Sequence, residues 1–588
     1  MSHSIDYRAA ALNFCRNESQ FHLGVIPTEQ SNPLTRGLSQ TIQRDTAEGV
    51  KTLLKADCLI SGVASGCFKS DAFKNMVGDI RRAMEEGRRI LISSVGASGR
   101  LALQLDSTWR RFWTEQISKL PLRAAEFIKL RELSDSLMTG GDRSVVRSVE
   151  NFEDYMTFGA RQVRDAGVKA GDVALILSEC GLSASVNGSA IEADNLGLST
   201  YYLYCNPKEI LCEHLERCRK VFERERIVKL PLYVGNMAVA GSTRMQVTTV
   251  ELLVAGAAQE LAIQSWLDDH LSADERAVVG VSALEPQTYA DAFTSLLDQL
   301  SSGSALEGLS KILDYESDTY SSNGLITYLA HDYLQDITTD TTERQPTFTL
   351  PPFRKSNDTE SPVSWAYAKD PTVPSSVAWQ HILHRPVKGL DWTREDYIAM
   401  GAARSIVDNP PSVGSGELDY YRVGWERDDS RVSRHPSRLV WVDINSSATM
   451  PSPNAPIDLT DGFDDQIRLR LGTLSSSEDC NKCIDIPVSL PRTLLDLPTH
   501  LMVKMVFNTM STGAMAKIGR VWSNWMIQVL PTNKKLIDRS TRVIAELADI
   551  PYEQACEEFY KSYLGRNPGE TYRESYVVET LRRLGVEY

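Results

Sequence analysis

The chain has 588 residues, of which 42% are hydrophobic and 24% are charged, a composition typical of globular proteins. Its net charge of −14 gives no electrostatic basis for nucleic acid or an anionic membrane as the main partner. No stretch approaches the roughly 20 apolar residues of a membrane span, and residues 1–14 lack the apolar core of a secretory signal. The length predicts about three or four domains, at roughly 150 residues each.

The first glycine-rich turn follows a predicted buried strand, Ile90–Ile92, and precedes a predicted helix at 101–119. Gly96 and Gly99 permit a positive φ, and Ser98 can cap the helix. Backbone N–H groups and a hydroxyl would then meet at the positive end of a helix dipole, which favours an anion such as phosphate. The alternative is a capped strand-to-helix turn without a ligand.

Two further turns rich in glycine and hydroxyl groups follow in the same region. Residues 178–184 come directly after the apolar strand Val173–Leu177, and residues 241–245 precede a helix at about 246–263. Another strand is expected at 200–204. Ligands of open α/β sheets lie outside the carboxyl ends of the strands, so we expect the turns to share one anion pocket. A phosphate at residues 96–99 would face Ser183 and Ser242.

Carboxylates follow a Gly-Gly turn at residues 139–146. Glu150 and Glu153 are three residues apart, and we expect them to share one face of a helix with Asp154 nearby. Such a face could supply acid–base chemistry if it lined a pocket. A solvated helix face is the alternative.

The second half of the chain carries weaker signals. Strands are predicted at 325–329 and 439–444, and loops at 345–374, 409–415, 446–456 and 474–479. Helices are predicted at 503–529 and 533–547 and in the tail. Lys535 and Arg539 share a face of the second of these helices, which is typical of a solvated face when considered alone.

The ten cysteines are scattered, which predicts free thiols in a reducing compartment. Cys480 and Cys483 form a lone CxxC without a second half, so we expect no zinc or redox centre there. No cofactor and no metal site is predicted for the chain.

Together these motifs resemble the sugar isomerase family, in its branch of N-acetylmuramic acid 6-phosphate etherases and glucokinase regulatory proteins. The matching pieces occur in the family's order, at residues 28–36, 96–100, 140–146, 153–154, 181–184, 205–207, 241–245 and 508–539. The resemblance covers about residues 20–285 and 500–550, whereas residues 290–500 match loosely. The length of the chain is similar to that of the regulatory branch, because the etherases have about half as many residues.

The resemblance implies an α/β fold of two tandem sugar isomerase (SIS) domains, with parallel sheets flanked by helices and an all-α cap from the chain termini. The implied division is an N-terminal arm at 1–50, a phosphosugar-binding domain at 51–285, a divergent SIS domain at 286–502 and a helical cap at 503–588. The implied ligand is a fructose phosphate, held by Gly96, Ala97, Ser98, Gly99, Glu153, Glu179, Gly181, Ser183, Ser242, Thr243, Lys535 and Arg539.

Three positions depart from the family pattern. Thr108 stands where the etherases place a glutamate, so a carboxylate that could protonate the leaving oxygen is missing. Glu179 stands where the regulator has a serine, and its charge would repel a phosphate unless it is protonated or turned away. Gln246 replaces the usual lysine.

Thr108 and the tandem architecture favour a phosphosugar-binding regulatory protein over an enzyme, without etherase activity. The expected partner is a hexokinase- or glucokinase-type protein, with no nucleic acid and no membrane, in the cytoplasm or the nucleus. The alternatives are a phosphosugar-processing enzyme, an etherase-like lyase or isomerase with Glu153 as its acid–base residue, and a scaffold whose pocket no longer binds a ligand.

Overall fold

The computed structural model describes residues 6–149, 151–474, 482–531, 533–565 and 574–586. In these ranges the chain forms two five-stranded parallel sheets and one antiparallel ribbon. The strands are β1 (Ile90–Ser94), β2 (Ser134–Met138), β3 (Val173–Leu177), β4 (Ser199–Tyr204), β5 (Val228–Pro231), β6 (Leu325–Leu329), β7 (Ala366–Lys369), β8 (Ser437–Ile444), β9 (Asp465–Gly472), β10 (Cys483–Pro487), β11 (Val521–Trp522) and β12 (Trp525–Met526).

Helices cover both faces of the two sheets and form the terminal cap. They are α1 (Tyr7–Asn17), α2 (Leu38–Arg44), α3 (Thr46–Lys55), α4 (Ile60–Lys69), α5 (Asp71–Glu86), α6 (Gly96–Lys119), α7 (Ala124–Arg131), α8 (Met156–Asp165), α9 (Ala184–Asn195), α10 (Lys208–His214), α11 (Glu216–Phe222), α12 (Gln246–His270), α13 (Ala273–Val279), α14 (Pro286–Leu300), α15 (Gly303–Ser321), α16 (Leu334–Phe348), α17 (Ser375–Leu383), α18 (Arg394–Ala399), α19 (Arg404–Asp408), α20 (Asp429–Val432), α21 (Leu497–Lys517), α22 (Lys534–Ala548), α23 (Tyr552–Gly565) and α24 (Tyr576–Arg583). The predicted α/β class is confirmed. No helix in the described ranges is long and apolar enough to cross a membrane.

The first sheet has the order β2-β1-β3-β4-β5. Strands β1 and β3 are buried along their whole length, because helices cover both faces of the sheet and require apolar residues at consecutive positions. The parallel register pairs Ile92 with Leu175. The carboxyl ends of the two strands therefore lie side by side, which brings the turns after them to one edge of the sheet.

The second sheet has the order β10-β9-β8-β6-β7, and its strands β6 and β8 lie where the sequence predicts them. Strand β7 falls inside the segment 345–374 that we expect to be a loop. The strand has only four residues, and the proline, serine and threonine around it are typical of loops. The sequence pattern therefore does not predict it, although all four of its residues are buried. Strand β9 was also missed, since arginines alternate with buried Ile467, Leu469 and Leu471.

Helix α21 lies in the interior of the molecule rather than at its end. It packs against α15 and α16 of the second unit, against α2 and α3, and against α12 of the first unit. The domain boundary expected at 502/503 falls inside this helix, because nearly every residue from Leu497 to Ala516 is buried and the helix is continuous. The ribbon of β11 and β12 follows, where a helix was expected to continue to residue 529.

Both chain ends contribute to the helical cap. Helix α1 packs against α23, and α22 packs against α23 and α24. Cys483 is disulfide-bonded, which corrects the expectation of a free thiol at this position. Cys480 lies outside the described residues.

A buried glutamate joins the N-terminal segment to α22. Glu29 is 2% exposed, and its carboxylate accepts hydrogen bonds from the Arg539 guanidinium at 3.0 and 2.6 Å and from Arg542 at 3.1 Å. Burial by itself would raise the pKa of Glu29, but the charges of Arg539, Lys535 and Arg542 outweigh it and hold the pKa at about 2. Helix α22 therefore docks on the chain start through an ionised pair.

We expect Glu29→Gln to release α22 from the N-terminal segment. The change leaves the Arg539 guanidinium without its carboxylate partner and removes one of the two carboxylates that pair with Arg542, which also contacts Asp538. Breaking a buried pair in this way costs about 3–5 kcal/mol. Because the folded pKa lies below the unfolded value of about 4.3, the stabilisation is present above pH 4.3 and is lost as the pH falls towards 2. Urea unfolding measures the free energy of unfolding, and hydrogen exchange of α22 measures the local effect. The difference in free energy between wild type and Glu29→Gln should become smaller as the pH falls from about 4.3 towards 2.

The control is Glu18→Gln, which removes the pair between Glu18 and Lys534 on the same helix, with side chains 18% and 48% exposed. This change should have little effect, because exposed ion pairs contribute little. Equal protection of α22 in wild type and Glu29→Gln would contradict the proposed docking.

Candidate functional site

The main cavity has a volume of about 260 Å³ and opens at the carboxyl ends of β1 and β3. Its wall includes residues of the first unit, of α16 in the second unit and of α22 in the cap. Many of the positions expected from the sequence meet here: Gly96, Ala97, Glu153, Glu179, Ser242, Thr243, Lys535 and Arg539.

Ser98 does not cap α6 as expected. The helix already begins at Gly96, which has φ +60°, so Ser98 lies inside its first turn and is fully buried. The Ser98 N–H donates to Glu179 Oε1 at 2.8 Å, and the Ser98 hydroxyl donates to the Glu251 carboxyl. Neither Ser98 nor Gly99 is part of the cavity wall; a Cβ on Gly99 would lie 2.9 Å from the Met138 side chain.

Glu179 places a carboxyl group at the N-terminus of α6, where a phosphate was expected. It follows β3 with φ +41°, a backbone conformation uncommon for residues other than glycine and often found at functional sites. Its second oxygen accepts from Thr243 Oγ1 at 2.9 Å. Burial, together with the charge of Glu343, raises the pKa of Glu179 despite these hydrogen bonds. The carboxyl group is therefore not turned away, and burial favours its protonated form.

A second carboxyl lies behind the first. Glu251 of α12 is fully buried and accepts a hydrogen bond from the Glu179 N–H at 2.9 Å. Burial, and after it the charge of Glu179, raises the pKa of Glu251 to about 8, although the bond from Ser98 acts in the other direction. A negative charge on Glu179 therefore disfavours ionisation of the buried Glu251 carboxyl.

Unused polar groups also face the cavity. The Ser242 hydroxyl is buried and has no hydrogen-bond partner among the described residues. Lys535, which is also on the cavity wall, forms no hydrogen bond or ion pair with the described part of the chain, and Glu153 and Glu29 act on it through charge. Arg539, in contrast, is committed to Glu29. Buried polar groups are normally paired, so the Ser242 hydroxyl is available to a ligand, as is the partly buried Lys535 ammonium.

The remaining predicted residues lie around this cavity. Glu153 belongs to a short 3-10 turn, Phe152–Asp154, rather than to the expected helix, and Glu150 lies outside the described residues. Ser183 lines a neighbouring cavity that also contacts Glu153 and Lys535. Gly181 forms a turn at φ +77° against Leu211, where a Cβ would come within 2.7 Å of that side chain.

The sequence pattern gives no sign that the second unit contributes to the wall of the main cavity. Glu343 of α16 lines the cavity and forms a buried ion pair with Arg100 of α6. Arg244 also lines it and pairs with Asp340 of α16 at 2.8 Å. The sequence predicts a loop from Gln345 onward. No local pattern places α16 next to the turn at residues 96–99, which lies more than 200 residues earlier in the chain. Only the packing of the two units reveals this wall.

Thr108 does not line the main cavity. It lies three turns into the continuous helix α6, its hydroxyl donates to the Leu105 carbonyl at 3.1 Å, and it lines a second cavity on another side of α6. The main cavity contains three carboxyl groups from elsewhere, those of Glu153, Glu179 and Glu343. The residue at position 108 therefore does not decide whether an acid is present in the main cavity.

Residues 73–193 match the family model described as the glucokinase regulatory protein N-terminal SIS domain. An N-acetylmuramic acid 6-phosphate etherase of Thermosynechococcus vestitus is 27% identical over 231 residues, covering 38% of this chain and 64% of the relative. The etherase of Synechocystis sp. is 31% identical over 122 residues, covering 20% of this chain and 40% of the relative. The chain thus spans less than two thirds of these curated relatives.

The C-terminal domain of glucosamine-fructose-6-phosphate aminotransferase from Francisella tularensis aligns with 80% of this chain and 94% of its own, at 12% identity and a TM-score of 0.37, too low to carry an inference. The sequence matches show that residues 73–193 are similar to a SIS domain, and they do not single out the regulator. The expectation of a binding protein without catalysis is overturned, because the curated relatives are named as etherases, which are enzymes.

The raised pKa of Glu251 predicts a measurable pH dependence of stability. Between the unfolded value of about 4.3 and the folded value of about 8, the folded chain keeps a proton that the unfolded chain releases. The free energy of unfolding should therefore fall as the pH rises through this window, and Glu251→Gln should remove up to about 1.4 kcal/mol per pH unit of that slope. Urea unfolding at several pH values measures the slope.

The control is Glu213→Gln, which changes an exposed glutamate of the same unit and should leave the slope unchanged. An unchanged slope in Glu251→Gln would show that Glu251 is ionised throughout this range.

Proposed function

We propose that the chain is a phosphosugar-processing enzyme of the etherase-like lyase class and that the main cavity is its active site. The observation that carries the proposal is Glu179, a partly buried carboxyl with a raised pKa after β3, on the same cavity wall as the Ser242 hydroxyl, which has no hydrogen-bond partner among the described residues. Strongly perturbed carboxyl groups in a cleft are typical of acid–base catalysis. The etherase relatives support the same class of reaction.

The phosphate of the substrate would bind between the 242–243 turn and α22. Ser242 supplies a hydroxyl there, and Lys535 supplies a cation; in the part of the chain that the structure describes, neither has a hydrogen-bond or ion-pair partner. A charged hydrogen bond to phosphate contributes about 1.5–3 kcal/mol. Position 246, where the resemblance leads us to expect a lysine, is occupied by Gln246, whose amide is committed to the Ala238 N–H and to backbone carbonyls. Lys535 is therefore the cation best placed for this role.

Ether cleavage by elimination requires a base and an acid. The base takes a proton from the carbon next to the sugar carbonyl, a carbon–carbon double bond forms, and the carbon–oxygen bond breaks as the leaving oxygen gains a proton. Glu179, whose protonated form is favoured by burial, suits the acid role. Glu153 lies on the same wall beside Lys535 and suits the role of base. Two carboxyl groups in different surroundings can divide the acid and base roles between them.

We expect Glu179→Gln to reduce turnover of N-acetylmuramic acid 6-phosphate about 10²–10⁴-fold, since it removes the proton donor and preserves the size of the side chain. Released lactate, followed by mass spectrometry, measures turnover. Binding should persist in this variant, but Lys535→Met should weaken it. At about 100 times its Kd, the phosphosugar should stabilise wild type by roughly 2.7 kcal/mol in thermal unfolding.

Two matched variants serve as controls. Glu209→Gln changes an exposed glutamate of the same unit and should retain turnover, and Lys534→Met changes the neighbouring lysine, which pairs with Glu18 instead of facing the cavity. Absence of lactate release and of ketose–aldose conversion above a no-protein control, across a panel of hexose 6-phosphates, would refute the enzymatic proposal.

A second candidate function is regulation of a hexokinase- or glucokinase-type partner, and the match to the glucokinase regulatory protein domain supports it. A ligand that contacts both the first unit and α22 would bind the docked cap better than a loose one, and this difference would shift the cap's equilibrium. The surface offered to a partner would then depend on the ligand.

For this regulatory role we expect fructose 6-phosphate or fructose 1-phosphate to slow hydrogen exchange of α22 and to change the inhibition of a purified hexokinase by the chain. Lys535→Met should abolish both effects, and Lys534→Met should retain them. Unchanged exchange in α22 would contradict ligand-dependent docking, and unchanged hexokinase activity would contradict this class of partner.

A further inference from the structure

The second cavity, on another side of α6, has a volume of about 260 Å³ and plays no part in the proposed reaction. Thr108 and Arg111 are among the α6 residues of its wall, which also includes the segments that follow β6 and β7 and parts of α16, α17 and α21. Four histidines line it, His331, His381, His384 and His500, together with four carboxylate side chains, of which Asp370 contacts two of the histidines. Its position outside the carboxyl ends of β6 and β7 is the usual place for a ligand in an open α/β sheet.

Three of these side chains form a compact cluster. His331 follows β6, Asp370 follows β7, and His381 lies on α17, yet one ligand atom from each lies within 4.8 Å of the others. His331 Nδ1 is 3.7 Å from Asp370 Oδ1, and His381 Nδ1 is 2.9 Å from Asp370 Oδ2. The two imidazole rings stack at 5.3 Å with an interplanar angle of 22°.

We propose that His331, Asp370 and His381 bind a divalent transition-metal ion, with zinc as the ion that fits best. Two imidazoles and one carboxylate are a common protein ligand set for a zinc ion that keeps a fourth position open. Bond lengths of about 2.0–2.2 Å at tetrahedral angles place neighbouring ligand atoms about 3.3 Å apart, between the two distances seen here. Small rotations of the imidazoles would complete the site, and the fourth position would face the cavity.

Supporting contacts orient the carboxylate. The Thr372 N–H donates to Asp370 Oδ1 at 2.7 Å, and the Thr372 hydroxyl donates to the same oxygen at 2.5 Å. The same hydroxyl lies 3.0 Å from His331 Nδ1. Partners of this kind fix the direction of metal ligands and are a regular part of metal sites.

Exposure and charge also favour a cation. The Asp370 side chain is 1% exposed, whereas those of His331 and His381 are 42% and 37% exposed, so an ion from solvent reaches the imidazoles directly. Arg111 is the positive group on the wall, but Asp496 and Glu115 lie 3.9 and 3.8 Å from its guanidinium. A buried carboxylate between the two histidines would repel an anion, which disfavours a phosphate here.

The experiment is zinc binding by the full chain, after removal of metal with a chelator and blocking of thiols with N-ethylmaleimide. Equilibrium dialysis with Zn²⁺ should show one saturable ion per chain that Asp370→Asn and His381→Asn lose. Each change should weaken zinc binding about 100-fold or more. Loss of a residue that only supports a metal ligand already lowers metal affinity about 10–100-fold, and these changes remove a ligand itself. Co²⁺ in wild type should give the intense visible absorption of a four-coordinate site.

The matched control is His435→Asn. His435 lies on the surface with its Nδ1 2.8 Å from Asp464, so the change removes one histidine–carboxylate pair outside the proposed metal site. It should bind zinc as wild type does. Circular dichroism separates loss of binding from loss of folding, and the cobalt spectrum of wild type tests the site without any variant. No saturable zinc, equal uptake by Asp370→Asn and wild type, or an octahedral cobalt spectrum would each overturn the proposal. Phosphate binding in this cavity, in place of zinc, would assign it to an anion.

Discussion

Buried arginines hold the two sheet units against each other, and both cavities depend on them. Arg385 of the second unit contacts Asp106 at 3.0 Å and Asp142 at 2.6 Å in the first, while Arg100 reaches the other way to Glu343. Separating the units would leave these charges buried without partners, at a cost of about 3–5 kcal/mol for each broken pair. The walls that the second unit contributes to the main cavity are therefore fixed.

The same pairing explains the role of the Gly-Gly turn. Asp142 follows two glycines with φ +90° and +77°, and its carboxylate accepts from the Arg385 guanidinium and from the Lys388 N–H. A motif that resembles a ligand-binding turn in the sequence is thus committed to the interface. The role of this turn is set by Arg385 and Lys388, which face it from the second unit.

In the main cavity, the chain places a carboxyl group of its own at the start of α6. The Glu179 carboxyl accepts the Ser98 N–H that would otherwise be available to a phosphate at the start of α6. A phosphorylated substrate would therefore bind beside this carboxyl, towards Ser242 and Lys535. In this arrangement the raised pKa of Glu179 would serve the proposed reaction, since a protonated carboxyl would both tolerate a nearby phosphate and donate a proton.

The sequence by itself determined the strands β1, β3, β4, β6 and β8 and the order of the turns around the main cavity, because apolar runs and glycine turns are local signals. The expectation that Glu179 and Lys535 lie near Ser242 and Thr243 came only from the resemblance to the sugar isomerase family. The sequence failed for β7 and β9, whose burial depends on neighbouring strands, and for Ser98, whose capping role depends on where α6 begins. Only the tertiary structure decided that Glu343 faces the main cavity, that Thr108 does not, and that His331, Asp370 and His381 meet. Each of these facts depends on contacts between residues far apart in the chain, and a linear pattern carries no record of which distant charge compensates a buried one.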